Sequence, residues 1–396
     1  MPAGLHINRA REVYVESVSS RAKATDDKDG HFVVVPGASI GTRYKIIRQL
    51  GQGTFGKVLC ARDMTNGKRY AIKVIRAIPK YRDASRIELR ALATLRSYDK
   101  DNVNRCIHLR DCFDYLNHVC IVTDLLSISI YDFMKRNMFA PFPTSHIQRF
   151  IRQLFRSVAF LHDIGLIHTD LKPENILLVD SSYDVQAYRP ASLPSASSLG
   201  SSRKLPDSRF ILRDTTIHLI DFGSAAFYDE HHSSVVSTRH YRAPEIILGN
   251  GWSFPCDTWS LGCIVVELFT GEALFQTHDN LEHLAIMEAI LDEPVDAAMV
   301  KMAPKQIGGR FFTPEGKLAY PGPDTSKQSK RYVKSIKKLD DILPLDIPRR
   351  DLLLDLLHKI FQFDPWKRIS VVDALLHPWL RVMINDEGSS SIGGGM

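Results

Sequence analysis

The strongest signal in the chain is the segment IHTDLKPEN at residues 167–175. It sets Asp170 and Asn175 five residues apart, with Lys172 between them. Phosphoryl transfer needs these groups: a carboxylate to accept or orient the proton of an attacking hydroxyl, an amide oxygen for Mg²⁺, and a positive charge against the phosphate. For this segment alone, a loop carboxylate that caps a helix is an alternative interpretation.

A second polar motif, LIDFGSA at 219–225, follows an apolar strand pattern and carries Asp221. Its carboxylate is a further oxygen ligand of the kind that hard cations prefer. The triplet Ala-Pro-Glu follows at 243–245. Helix-capping carboxylates do not account for these motifs in this order. The sequence therefore predicts a phosphoryl-transfer site in which Asn175 and Asp221 hold Mg²⁺.

A glycine motif, GQGTFGKV at 51–58, allows two kinds of nucleotide site. A dinucleotide site needs a helix directly after the glycines, so that the helix N-terminus meets the pyrophosphate. Here residues 57–62 read as a strand, followed by a hairpin turn at Asn66-Gly67. This favours a glycine hairpin that folds over phosphates, where backbone N–H groups approach without a Cβ clash. An ordinary glycine-rich turn remains open for the motif alone.

A strand lysine and a helix glutamate form the next predicted pair. Lys73 ends the run YAIK and lies between apolar neighbours. Glu88 falls on the apolar stripe of the following helix, with Leu92 and Leu95. A buried carboxylate without a partner costs several kcal/mol, so Glu88 needs a cation. Lys73 is the natural partner, and the pair would direct its ammonium group at the α- and β-phosphates.

Together these motifs resemble those of the eukaryotic protein kinases over residues 31–380. The resemblance implies an α+β, bilobal fold, with a small β-rich N-lobe carrying one regulatory helix at 31–126 and a larger, mainly α-helical C-lobe at 127–380. It implies ATP and Mg²⁺ as cofactors, protein substrates, and catalytic roles for Lys73, Glu88, Asp170 and Lys172. Lys172 matches the serine/threonine pattern, because tyrosine kinases usually carry Ala or Arg there.

Within that family, the chain resembles the LAMMER, or CDC-like, kinases. The matching segments are 230–248, 251–263 and LFQTHDNLEHLAIMEAIL at 274–291. Ile286 and Ala289 stand where the eponymous segment carries Met and Arg, so a role that depends on that arginine is in doubt. The resemblance implies a dual-specificity enzyme, nuclear with some cytoplasmic presence, that phosphorylates Arg/Ser-rich splicing factors on Ser/Thr and itself on Tyr.

The resemblance also assigns a nucleotide pocket. Thr123, in HVCIVTDLL, takes the gatekeeper position ahead of a hinge at 124–126. CDC-like kinases mostly carry Phe there, so the pocket is expected to be more open than is usual. The expected nucleotide contacts are Leu50, Gly51, Gly53, Phe55, Gly56, Val58, Ala71, Lys73, Thr123, Asp124 and Leu126.

Further roles near the substrate follow from the resemblance alone. Glu174 is expected to bind a basic residue upstream of the acceptor Ser or Thr, and a solvated acid is the alternative. Thr238 is expected to contact the catalytic aspartate and lysine, with its own phosphorylation as the alternative. Glu245, of the Ala-Pro-Glu triplet, is expected to pair with Arg368.

The activation loop lacks the residue that usually collects a regulatory phosphate. Most kinases switched by loop phosphorylation carry Arg immediately before the catalytic aspartate, and this chain has Thr169. Asp229 and Glu230 bring fixed negative charge to the loop, and Arg239 and Arg242 are expected to pair with nearby acids. The sequence therefore predicts an enzyme that is active without loop phosphorylation.

Outside the motifs, the chain divides by composition. Residues 1–30 are predicted to be a mobile extension, 381–396 a disordered tail, and 180–214 and 292–346 two insertions, the first flexible and the second irregular. The basic cluster at 330–338 is either a nuclear signal or a solvated helix face. Strand patterns occur at 32–35, 44–50, 57–62 and 69–76, and helix patterns at 81–97, 147–161 and 257–270.

Composition excludes several other classes of protein. A net charge of +6 over 396 residues is too dispersed to argue for nucleic acid. The longest apolar run, around 261–268, is interrupted by Glu267 and is far short of the ~20 residues that a membrane span needs. The six cysteines form no Cys-x-x-Cys pair, which favours reduced, mostly buried thiols over a zinc site. A monomeric catalytic unit is expected.

Three alternatives to an active LAMMER kinase in splicing remain. A pseudokinase scaffold would lack Lys73, Asp170 or Asp221, and all three are present. A neighbouring family activates on a Tyr-x-Tyr loop, which the stretch SSVVSTRHYR at 233–242 does not contain. Some divergent relatives act in chromosome segregation, and the sequence does not decide between that role and splicing.

Overall fold

The structure is a computed structural model that describes residues 12–18, 26–187 and 206–384. These residues form a small lobe built on a seven-stranded sheet and a larger lobe built mainly of helices. The α+β, bilobal architecture expected from the sequence is confirmed. Within the described ranges, no helix combines the length and apolar composition needed to cross a bilayer.

The small lobe is a sheet with the strand order β1-β6-β7-β5-β4-β3-β2. One long helix, α1, crosses from β5 to β6 and presses Leu89, Leu92 and Leu95 into the core. The elements are β1 (Glu16–Val18), β2 (Ser39–Ile40), β3 (Tyr44–Gln52), β4 (Gly56–Asp63), β5 (Arg69–Ile75), α1 (Pro79–Tyr98), β6 (Leu109–Tyr115) and β7 (His118–Asp124).

The hairpin between β4 and β5 forms as predicted, with a different turn. Only Gly67 adopts the positive φ expected of both turn residues, at 72°. The Asp63 carboxylate accepts hydrogen bonds from the backbone N–H and the hydroxyl of Thr65, which organises a longer loop. The strand predicted at 32–35 is wrong, because only Phe32 makes a single bridge, to Asp26.

The mobile extension predicted at 1–30 is wrong for its described parts. β1 pairs in parallel with β6, with Glu16 opposite Phe113. Asp26 Oδ1 lies 2.9 Å from His118 Nε2, and Asp27 Oδ2 lies 3.2 Å from Lys57 Nζ. These partners lie 30 to 92 residues away along the chain, so local composition gave no sign of them. Residues 1–11 and 19–25 lie outside the described residues.

The large lobe packs around α5, whose residues are buried except for the two at its ends, as its apolar pattern predicts. Gly165, with φ of 70°, ends the turn that follows α3. The elements are α2 (Ile130–Arg136), α3 (Thr144–Asp163), β8 (Leu166–Ile167), β9 (Ile176–Leu178), β10 (Tyr183–Ala187), β11 (Ser208–Leu212), β12 (Ile217–Leu219), β13 (Ala226–Phe227), α4 (Pro244–Leu248), α5 (Pro255–Thr270), α6 (Asn280–Leu291), α7 (Ala297–Met302), α8 (Lys305–Phe311), α9 (Lys327–Ser335), α10 (Leu339–Ile342), α11 (Arg350–Ile360), α12 (Val371–Leu375) and α13 (Pro378–Arg381).

Both predicted insertions contain regular structure. In the first, β10 and β11 form an antiparallel ribbon, and the rings of Tyr183 and Phe210 stack at 4.1 Å, so the flexible assignment is wrong for these residues. Its tip at 188–205 lies outside the described residues. In the second, α7 to α10 replace the expected irregular chain. Asp296 caps α7 and Ser326 caps α9, and single capping residues of this kind start short helices.

The disordered tail predicted at 381–396 is wrong for its described residues, 381–384. Ile384 is buried, and its N–H donates to Gln148 Oε1 at 2.9 Å. The remainder, 385–396, lies outside the described residues. The six cysteines are free thiols, five of them buried.

Candidate active site

Lys73 joins the two carboxylates that the sequence placed near it. From β5, its Nζ lies 2.8 Å from Glu88 Oε1 on α1 and 2.9 Å from Asp221 Oδ1, which follows β12. Burial alone would lower the pKa of Lys73, but the two carboxylates raise it above its ordinary value. The same contact lowers the pKa of Asp221 against the effect of burial. Burial raises the pKa of Glu88, and the contact with Lys73 opposes that rise.

The segment between β8 and β9 carries a second cluster of polar side chains, centred on Asp170. Asp170 accepts hydrogen bonds from Lys172 Nζ at 2.7 Å and from the Thr238 hydroxyl at 2.6 Å. Lys172 Nζ also donates to Thr238 Oγ1 at 3.0 Å. Burial would raise the pKa of Asp170, but these two partners lower it. The structure thus places Thr238 against the aspartate and lysine, as the resemblance implies.

Asp257 holds this segment in place, and sequence reasoning missed it. It lies fully buried on α5 and accepts from the backbone N–H groups of His168 and Thr169, both at 2.9 Å. His162 Nε2 lies 3.0 Å from the same carboxylate. Thr169 has φ of 67°, which is strained for a β-branched residue. A signal was available, since Asp257 is an acid at the start of a helix that is otherwise almost all apolar.

Asn175 and Asp221 lie side by side because their strands pair. β9 and β12 run antiparallel with Ile176 opposite Leu219, and Ile220 N–H donates to the Asn175 carbonyl at 2.9 Å. Among the described residues, no cluster of three or more His, Cys, Asp or Glu side chains could hold a metal ion by itself. Mg²⁺ typically takes one or two protein oxygens plus phosphate oxygens. The amide of Asn175 and the carboxylate of Asp221 fit that donor set.

A cavity of about 920 Å³ lies between the lobes beneath the β3–β4 hairpin. Every nucleotide contact expected from the resemblance lines it. A Cβ on Gly56 would lie 2.1 Å from the Val74 carbonyl oxygen, so packing requires that glycine. Gly51 and Gly53 have no atom within 4 Å of a Cβ position. Packing does not require those two glycines, and their lack of side chains leaves room for a phosphate-bearing ligand.

The wall of the cavity contains residues that sequence reasoning missed. Thr123 lies half-buried on β7 opposite Ala71 of β5, and Asp124 and Leu126 continue the lining as expected. The missed residues include the apolar Ile107 and Leu177, which lie outside any motif, and Ile220, which precedes Asp221 in LIDFGSA. The one signal was position, since Leu177 and Ile220 are close in sequence to Asn175 and Asp221.

The activation segment is held by an acid and not by the expected arginines. Glu230 Oε1 lies 2.6 Å from Arg90 Nη2 of α1, and the Arg90 guanidinium lies 5.3 Å from the Phe227 ring centre. Arg239 and Arg242 were expected to pair with acids, and this is wrong. Arg239 donates to Asn280 Oδ1 at 2.6 Å, and Arg242 donates to two backbone carbonyls. Arg90 already engages Glu230, the loop acid nearest in sequence to these arginines.

Glu245 and Arg368 form a buried ion pair, as the resemblance implies. Their two hydrogen bonds are 2.8 and 2.9 Å long, and both side chains are almost fully buried. Arg368 also donates to the carbonyls of Pro255, Gln362 and Phe363. The pair therefore joins the start of α4 to the loop that follows α11.

Glu174 projects from the end of the Asp170 segment. Its partial burial raises its pKa, the nearby Asp170 and Asp132 add to that rise, and Lys172 opposes it. Glu267 lies in the same acidic region, accepts from the Tyr241 hydroxyl at 2.6 Å, and has its pKa raised by burial to about 7. The Glu174 carboxylate contributes to the raised pKa of Glu267, so the two acids lie near each other.

Comparisons with known proteins agree with this geometry. The family described as "Protein kinase domain" matches residues 44–380. The chain is 54% identical over 354 residues to "Dual specificity protein kinase lkh1" of Schizosaccharomyces pombe, covering 89% of this chain and 49% of that protein. It thus spans about half the length of that relative. "Serine/threonine-protein kinase AFC1" of Arabidopsis thaliana is 46% identical, with 89% and 74% covered.

Human "Dual specificity protein kinase CLK2" is 42% identical over 362 residues, covering 91% of this chain and 68% of that protein. A solved crystal structure of a kinase domain superimposes with a TM-score of 0.79 at 35% identity, covering 89% of this chain and all of that one.

Proposed function

We propose that this chain, which belongs to the protein kinase family and to its LAMMER, or CDC-like, branch, transfers the γ-phosphate of ATP to Ser and Thr hydroxyls of proteins. The observation that carries the proposal is the double contact of Lys73 with Glu88 and Asp221 at the cavity wall. It fixes one cation between a helix and the carboxylate proposed to hold the metal. Phosphorylation of its own tyrosines is proposed on the family resemblance alone.

Each polar group in the site then has a distinct role. ATP with Mg²⁺ supplies the phosphoryl group, and Asn175 and Asp221 are proposed to hold the ion. Asp170, ionised and fixed by Lys172 and Thr238, accepts or orients the proton of the attacking hydroxyl. Lys172 and Lys73 offset negative charge on the phosphates.

The substrate class proposed is basic, Arg/Ser-rich protein, with nuclear splicing factors as the physiological targets. The exposed side chain of Glu174, which lies between Lys172 and Asn175 in the chain, supports a preference for arginine upstream of the acceptor. A phosphoproteomic comparison of cells carrying wild type or Asp221→Asn tests the assignment. Loss of phosphate from Arg/Ser-rich proteins is expected. Loss confined to chromosome-segregation proteins would replace splicing with that role.

Substitution of Glu174 by Ala is expected to remove most of the preference for upstream arginine in a peptide library. A charge-assisted hydrogen bond contributes ~1.5–3 kcal/mol, so the selectivity should fall by about tenfold or more. The preference also requires the ionised carboxylate. Because the pKa of Glu174 is raised, the preference should weaken as pH falls through that raised value, earlier than for an ordinary glutamate.

The matched control for this library is Asp184→Ala, which removes an exposed acid on β10. It should leave the arginine preference intact. An unchanged preference in Glu174→Ala would show that Glu174 is only a solvated acid.

The enzyme is expected to be active without a phosphate on its activation segment. The carboxylate of Glu230, which pairs with Arg90 of α1, supplies a permanent negative charge where α1 meets the activation segment. Phosphatase-treated enzyme, shown by mass spectrometry to be unmodified, should keep at least about a tenth of its activity, a barrier change under ~1.4 kcal/mol. A hundredfold loss that rephosphorylation restores would mean that a phosphate, and not Glu230, orders the segment.

Thr123→Phe is expected to weaken inhibitors that carry a bulky group directed past Thr123. The larger ring would fill space that the threonine leaves open on β7. Affinity should fall by about tenfold or more, ~1.4 kcal/mol of binding free energy. Parent compounds without the bulky group serve as controls and should bind both proteins alike. If the potencies of the bulky compounds are unchanged, Thr123 does not occupy the gatekeeper position.

A further inference from the structure

Helix α9, in the second insertion, divides its residues into two faces. Ser329, Tyr332 and Val333 point to the body of the lobe: the Ser329 hydroxyl lies 2.8 Å from the Tyr320 hydroxyl, and the other two pack against the core. The opposite face carries four exposed cations at positions i, i+3, i+4 and i+7. These four, called the basic face here, are Lys327, Lys330, Arg331 and Lys334.

The basic face has no acidic partner in the part of the chain that the structure describes. None of its side chains makes an ion pair or hydrogen bond with residues 12–18, 26–187 or 206–384. A cation just beyond it does find one, since Lys338 Nζ lies 2.6 Å from Asp292 Oδ2. Acids are thus within reach of this insertion, and the basic face lies apart from them.

The charges on α9 oppose its own stability. Like charges three and four residues apart repel on a helix surface. Lys327 occupies the first turn, where the helix dipole favours an acid, and α9 has no acid in that turn. An ordinary solvated helix face mixes both signs of charge. Four cations on one face are better explained by an anionic partner that neutralises them.

Helix α9 packs on the helix that also contacts the segment of Thr238. Ser329 of α9 donates to Glu282 of α6. On the same helix, Asn280 accepts from Arg239, the residue after Thr238, at 2.6 Å. Thr238 contacts Asp170. Helix α6 therefore links α9 to the segment at the proposed acceptor site, and the basic face lies on the side of α9 opposite the Ser329 contact.

We propose that the basic face binds a phosphoserine-bearing stretch of the protein substrate, so that a substrate phosphorylated once is retained for further phosphorylation. This inference rests on the proposed function, because the enzyme would create these phosphates. A phosphoserine carries about −1.5 to −2 charges and three acceptor oxygens, so two or three of them match four cations. Four cations over eight residues span ~10 Å, the length of a short peptide segment.

The test compares acceptor peptides that differ only outside the acceptor sequence. A short Arg/Ser acceptor peptide is extended by a flexible Gly/Ser linker that ends in three phosphoserines, or in three alanines. Wild type should show at least a tenfold lower KM for the phosphoserine form, and the gain should shrink as salt is raised. The variant K327Q/K330Q/R331Q/K334Q should lose the gain and keep kcat and KM on the short peptide.

A matched variant, K301Q/K305Q/R310Q/K317Q, removes four exposed cations elsewhere in the insertion and should keep the gain. No gain in wild type, or a gain that survives in the α9 variant, overturns the proposal. Failure of wild type to phosphorylate the short peptide counts against the proposed function instead. In that case, fluorescence anisotropy of the triphosphoserine extension still tests the basic face, with tenfold weaker binding expected for the α9 variant.

Single-stranded RNA serves as the competing polyanion in the anisotropy assay. Tighter binding of RNA than of the phosphopeptide, lost in the α9 variant, would overturn the proposal in favour of a nucleic-acid surface.

Discussion

In purified Lys73→Ala and Asp221→Asn proteins, the rate of phosphoryl transfer will fall by ~10²–10⁴-fold or more. This range is typical for removal of a group that acts in the transition state. Lys73 is the cation between two carboxylates, and Asp221 is the carboxylate proposed to hold Mg²⁺. Asp221→Asn keeps the ion pair between Lys73 and Glu88, and Lys73→Ala removes both ion pairs but leaves the apolar cores of the two lobes unchanged, so both variants should still fold.

Single-turnover rates with a basic peptide measure the effect, and circular dichroism checks the fold. The matched control is Lys45→Ala, which removes an exposed lysine from β3 of the same sheet and should leave the rate unchanged. Turnover like that of wild type in either variant would show that these residues are not the catalytic set.

Arg368→Ala will lower the free energy of unfolding by ~3–5 kcal/mol, the cost of leaving one partner of a buried ion pair without its counter-charge. Glu245 is almost fully buried, so its carboxylate would have no water to replace the guanidinium. Three backbone carbonyls that accept from Arg368 would also lose their donor.

Urea unfolding at neutral pH measures the loss. Glu245→Gln, which keeps the shape and one hydrogen-bond acceptor, should destabilise the protein less. Arg213→Ala breaks a pair on the exposed β10–β11 ribbon and should have no measurable effect. Equal effects of Arg368→Ala and Arg213→Ala would mean that the buried pair contributes no more than an exposed one.

The parts of the site that could be predicted from sequence are those whose residues lie close together along the chain. Asp170, Lys172 and Asn175 lie within six residues, so their proximity did not depend on the fold. The contact between Lys73 and Glu88 was predictable for another reason. An acid on an apolar helix stripe needs a cation, and the adjacent strand offered one.

What the sequence could not show depends on long-range contacts. Asp257 supports the backbone of residues 168 and 169 from 89 and 88 residues away. Its place at the start of an apolar helix indicates that it needs a partner, but the sequence does not show which one. Arg239 and Arg242 were expected to pair with acids, but Arg242 donates to backbone carbonyls of its own turn and Arg239 donates to the Asn280 side chain 41 residues away. Composition also misjudged 292–346, where single capping residues start helices in polar chain.

The parallel pairing of β1 with β6 has a practical consequence for where the folded unit begins. Without β1, β6 would be the outer strand, and its free N–H and C=O groups would offer a template for pairing with another molecule. β1 is only three residues long and carries Glu16, two features that make a poor template. A recombinant protein started at Tyr44, where the family match begins, would uncover that edge and invite aggregation. The segment from residue 12 onward therefore contributes to the solubility of the folded domain.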